Sequence, residues 1–158
     1  MKTPTTLIVT LCAALTFAFT ASADDAKIPG IKKAPAAAAE ALKKYAAEAG
    51  MTIEKVGVEK HGKVTVYEAE LKADGKADRE VAVTADGKVK AEEETVPLDK
   101  VPEAARKAIE ANAKGAKIER VQRIKEDGAI TFEAAYVLKG KTTEVSFFED
   151  GKLKPEEK

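Results

Sequence analysis

The sequence predicts an α+β fold: one antiparallel sheet with both helices on one face, built from two tandem helix-strand-strand-strand-strand units. Three observations predict it. Two alanine-rich stretches, at Ala34 and Val101, each open on a proline and stop at a glycine. Each is followed by segments that alternate apolar and charged residues, the period of a half-buried strand. Short Gly- and Asp-Gly-centred turns separate those segments, and turns of that length join antiparallel neighbours.

The first residues lie outside this plan. Lys2 precedes the apolar run Leu7 to Phe19, and Ala21-Ser22-Ala23 follows. That is the pattern of an export signal, too short to span a bilayer comfortably. Cleavage is expected between Ala23 and Asp24, so residues 1–23 form the signal peptide. Cys12 follows Leu11 rather than a small residue, which argues against a lipoprotein signal. The single cysteine leaves with the signal. The exported protein then has neither a disulfide nor a thiolate nucleophile or metal ligand. With 27 basic and 27 acidic residues in the chain, no basic footprint for nucleic acid stands out. The expected product is a periplasmic or extracellular monomer with no membrane anchor.

Residues 24–33 mix charge with Pro29 and Gly30 and read as a flexible leader. The first unit occupies 34–96. Pro35 suits a first helical turn. Ala38, Ala41, Leu42, Tyr45 and Ala49 share a face, and Gly50 is a C-terminal stop. Thr52 to Lys60 is the first strand, with His61-Gly62 as its turn. In the second, Tyr67, Ala69 and Leu71 face one way, and Glu68, Glu70 and Lys72 the other. Arg79 to Thr84 and Lys88 to Thr95 complete the unit, after turns at Asp74-Gly75 and Asp86-Gly87. Residues 97–101 form a linker, and the second unit fills 102–158. There Pro102, Ile109, Gly115, Ile118, Val121, Phe132 and Asp150-Gly151-Lys152 answer Pro35, Leu42, Gly50, Ile53, Val56, Tyr67 and Asp86-Gly87-Lys88. The offset stays near roughly 65 residues, a domain duplication rather than a solenoid period. One helix per four strands covers only one sheet face, so the other is expected to be open and polar.

The second unit carries Leu98-Asp99-Lys100-Val101-Pro102, Gly115-Ala116-Lys117-Ile118-Glu119-Arg120-Val121, Phe132-Glu133-Ala134 and Asp150-Gly151-Lys152. The first carries Gly50 to Val56 and Tyr67-Glu68-Ala69. In these motifs the chain resembles the PepSY-like, β-lactamase-inhibitor-like secreted proteins, across nearly all of residues 34–154. The resemblance implies a sheet of tandem units with helices on one face. It also implies an inhibitory or protein-binding role in the envelope, for instance toward a secreted peptidase.

Chemistry is thinly represented. His61 is the only histidine, and its place before Gly62 reads as a solvated turn rather than a catalytic base. There is no Gly-x-Ser-x-Gly elbow. Carboxylates alone would favour calcium or magnesium. Glu92-Glu93-Glu94, the densest acidic run, splits between two strand faces, and Asp74 and Asp78 lack a calcium-loop pattern. Glu68 and Glu70 read as polar outer-face residues without a cleft to raise their pKa. No catalytic, cofactor or metal residue is therefore expected. Phe148 should point to the open face, since Phe147 answers Val83 and faces the helices. Val66, Ala135 and Val137 share the phase of Phe148, and the four together form the expected contact patch. The reading is a non-enzymatic module that binds a protein or peptide through the open face. The alternative is a carrier of a small ligand or cation.

Overall fold

The structure is a computed structural model and describes residues 27–155. The expected cleavage point at Ala23 and Asp24 lies outside the described residues. Helix α1 spans Ala36–Ala49 and α2 spans Glu103–Ala113. The strands are β1 (Thr52–His61), β2 (Val64–Lys72), β3 (Arg79–Thr84), β4 (Val89–Thr95), β5 (Ile118–Glu126), β6 (Ala129–Leu138) and β7 (Lys141–Phe148). They form one sheet in chain order, β1 to β7, every neighbour antiparallel.

Both helices begin after a proline, Pro35 and Pro102, whose missing N–H costs nothing at that end. The end of α1 follows from Gly50, in the left-handed region at φ 60°. The Gly50 N–H donates to Ala47 O and the Met51 N–H to Ala46 O, a pair of bonds that satisfies the last carbonyls. The expected stop of α2 at Gly115 comes one residue early. Lys114 itself turns left-handed at φ 52°.

Each helix covers its own part of one sheet face. Ala38, Leu42 and Ala46 pack on Ala69, Leu71, Val81 and Val83. Ala105, Ile109 and Ala113 pack on Val121, Phe132, Ala134, Tyr136 and Phe147. Register places both sets on the same side, because Val81 pairs with Glu92, Glu92 with Lys125, and Lys125 with Ile130. Between the two cores runs a polar seam. Tyr45 donates to Glu92 at 2.9 Å, Arg79 meets Glu94 at 2.8 Å, and Lys125 meets Glu92 at 3.5 Å.

Three expectations are corrected. The described part of the leader is pinned from Pro29 onward: Ile31 is 2% exposed, Ile31–Lys33 forms a 3-10 turn, and the Val56 N–H donates to Pro29 O at 2.8 Å. Leu98–Lys100 forms the same turn before Pro102. The apolar Ile31, hidden by the polar residues around it, is the anchor. Among the described residues there are seven strands, not eight. Beyond β7, Leu153 makes only an isolated bridge to Phe147 before Pro155, and a proline cannot extend a ladder. Finally, His61 is not in the turn. It pairs with Val64, so Gly62 and Lys63 make the turn and His61 ends β1.

Candidate functional site

The face away from the helices is concave. Strand alternation puts Glu59 and His61 of β1 on it, with Val66, Glu68 and Glu70 of β2, and Glu80 and Ala82 of β3. By the same register it takes Ala91 and Glu93 of β4, Gln122 and Glu126 of β5, Glu133 and Ala135 of β6, and Ser146 and Phe148 of β7. Bulges at Ile53/Lys55, Ala82/Val83 and Ile118/Arg120 bend and twist the strands. Curvature brings the end of β1 onto β5: His61 Nδ1 lies 3.1 Å from Glu126 Oε1. Glu126 also meets Lys90 at 3.8 Å and Lys154 at 3.7 Å, and Lys90 pairs with Asp127. Under this bridge lies a cavity of 330 Å³ walled by His61, Lys90, Thr131 and Phe148. Beside it, a groove of 1150 Å³ separates the β1–β2 tip (Lys60, Lys63) from Thr143–Ser146 of β7, with Glu133 on its wall.

The centre of the concave face is acidic. Lys55 pairs with Glu70 at 2.7 Å and Arg120 with Glu144 at 3.3 Å. Glu68, Glu80 and Glu93 mainly face one another. Burial pushes Glu68 up to about 8, helped by the charges of Glu59, Glu80 and Glu93 and by its hydrogen bond to Glu80. Burial also raises Glu93 to about 7, with Glu80 and Glu133 adding to it. Glu80 is raised by burial and then by Glu70. Gln122 Nε2 donates to Glu93 at 3.2 Å and Ser146 Oγ to Glu133 at 3.1 Å. Desolvation and like charge act in the same direction here, disfavouring the ionised form.

The expected contact patch is dispersed. Val66, Ala135, Val137 and Phe148 do share this face. Val66 is fully buried with Ala82 and Ala91, so it offers no surface. Ala135 is nearly buried and Val137 is exposed. Phe148 is half-buried in the cavity wall. The curl of the sheet, not the phase, accounts for the difference.

The expectation for Glu68 fails for the same reason, since a curved face desolvates what a flat one would leave wet. Glu92 and Glu94 face the helices, while Glu93 alone joins the acidic band. Asp78 pairs with Lys72 at 3.3 Å. His61, expected in solvent, has a side chain only 16% exposed. One of its ring nitrogens and carboxylate oxygens of Glu59 and Glu68 all lie within 4.8 Å of one another. The signal was present: a turn at Gly62-Lys63 registers Gly57 with Glu68 and Glu59 with Val66. Placing His61 in the turn hid it.

No protein-family model matches the chain, and no curated protein is similar to it. Solved structures are. A protein of Bacteroides eggerthii described as periplasmic has 20% identity and a TM-score of 0.59, over 76% of this chain and 85% of that one. A DUF2874 family protein of Bacteroides uniformis has 20% identity and a TM-score of 0.58, over 76% and 86%. A BLIP-like protein of Bacteroides fragilis has 23% identity and a TM-score of 0.55, over 78% and 85%. At such identities the likeness is one of fold, and the chain has the α+β fold of these BLIP-like and DUF2874 family proteins.

Proposed function

We propose that the chain is an exported, periplasmic, non-enzymatic binding module, and that its concave face receives a protein or peptide segment carrying cationic side chains. The observation that carries this reading is the crowding of Glu68, Glu80 and Glu93, with two of them raised to about 8 and about 7. A lysine or arginine entering the face would compensate that repulsion and return the carboxylates to their charged form. The adjoining groove, 1150 Å³ along Thr143–Ser146, has the room for an extended segment. The periplasmic neighbour and the expected export signal support the location. The PepSY-like motifs support a duplicated unit and suggest restraint of an envelope peptidase as the physiological form of binding.

The test is calorimetric titration of the exported protein with extended octapeptides that differ only in charge. Lysine peptides should bind, with affinity falling as salt rises. Glu93→Gln with Glu133→Gln should weaken them at least about fivefold, the scale of one partly buried ion pair. Glu110→Gln, on the exposed side of α2, should not. Equal binding of lysine and glutamate peptides, or no loss in the double variant, would remove the reading.

A further inference from the structure

We propose that Glu59, His61 and Glu68 bind one divalent transition-metal ion of the zinc type. Glu59 and His61 alternate on β1 and so project from one face, and Glu68 reaches them from the neighbouring strand. Their ligand atoms lie within 4.8 Å of one another. Tetrahedral zinc, with bonds of about 2.0–2.2 Å, needs its ligands about 3.3 Å apart. The closure required is a side-chain movement, and Glu59 is exposed and free to make it.

The donor set selects the metal. An imidazole with two carboxylates suits zinc, cobalt or nickel, whereas calcium takes six to eight oxygens. Two carboxylates do not supply those. Glu126 lies outside the three ligands and contacts one of them. Glu126 Oε1 sits 3.1 Å from His61 Nδ1, with both side chains largely covered. A carboxylate on one ring nitrogen fixes the imidazole's orientation and leaves Nε2 to coordinate, the usual arrangement behind a metal-bound histidine. A cation here also offsets the repulsion that Glu68 feels from Glu59, Glu80 and Glu93. The inference does not rest on peptide binding: Glu68 belongs to both sites, but zinc is titrated without peptide, and the peptide variants at Glu93 and Glu133 leave all three ligands in place.

The experiment uses the exported protein, without a histidine tag, stripped with chelator and titrated with zinc ion alone. His61 is the only histidine, so its ring resonances report the site without ambiguity. One equivalent of zinc should shift them and raise the melting temperature. Cobalt(II) should give a tetrahedral visible spectrum. Calcium at the same concentration should do neither. Glu59→Gln should weaken zinc at least about tenfold, and Glu126→Gln about 10- to 100-fold. His61→Gln should abolish binding. If His61→Gln does not fold, Glu59→Gln decides, since that side chain is exposed. The proposal is overturned if zinc fails to bind at one equivalent, if Glu59→Gln binds as the native protein does, or if calcium binds equally well.

Discussion

His61 and Glu126 meet at 3.1 Å although β2, β3 and β4 lie between their strands. On a flat sheet, four strand spacings would hold their backbones about 19 Å apart. Their contact measures how far the sheet curls over its uncovered face. That curl turns a polar sheet surface into a lined hollow. It buries Val66, desolvates Glu68 and Glu93, and places the edge of β7 across a groove from the β1–β2 tip.

The hairpin turns are locked against the helices in the same way in both halves. Gly87 and Gly151 take positive φ, 81° and 82°. A Cβ at these positions would come 2.8 Å from Ala37 O and 2.7 Å from Ala104 O. Either glycine replaced by alanine combines a left-handed side chain with a collision against backbone. We expect each substitution to cost about 2 kcal/mol or more in urea denaturation. A loss below about 0.5 kcal/mol, the size of an ordinary surface change, would mean that the turns do not seat on the helices.

Leu42 and Ile109 are fully buried in separate cores. Leu42→Ala and Ile109→Ala should each cost about 2–5 kcal/mol. The cores share one sheet through the β4–β5 ladder, so each variant should still unfold in a single transition. Circular dichroism and tyrosine fluorescence can check this, with Tyr45 and Tyr67 in one half and Tyr136 in the other. Two resolved transitions would show that the halves fold independently.

Stability should fall as pH rises. Unfolded glutamate titrates at 4.5, while native Glu93 and Glu68 hold their protons to about 7 and about 8. Between those values the native state binds more protons, so its advantage is complete below pH 4.5 and is lost as pH rises through about 7 for Glu93 and about 8 for Glu68. In metal-free protein, Glu93→Gln should match the native chain at pH 4.5. By pH 8 it should exceed it by on the order of 1 kcal/mol, after allowance for solvent screening. Urea denaturation at both pH values measures this. Parallel curves across the range would place Glu93 in an ordinary aqueous setting.

Much of the fold was legible because it rests on local signals. Pro35 and Pro102 opened helices, Gly50 closed one, and the alternation through Tyr67, Ala69 and Leu71 placed a strand face. Ile31 escapes a reading of the sequence because two isoleucines, Ile28 and Ile31, split by Pro29-Gly30, are too few to show a period. The missing eighth strand was a matter of length: Pro155 leaves too few residues after the Asp150-Gly151 turn. The site was legible in phase but not in environment. Phe148, Val66, Ala135 and Val137 do share a face, yet curvature from bulges and distant packing decided which of them water reaches. That same long-range curvature brought Glu126 to His61.

If the concave acidic face receives cationic side chains, amide chemical-shift mapping with the lysine octapeptide will trace the contact. Shifts should concentrate at Glu80, Glu93, Glu133 and Ser146, and they should vanish with the glutamate peptide. Shifts centred on α1 and α2, or the same shifts with either peptide, would contradict it.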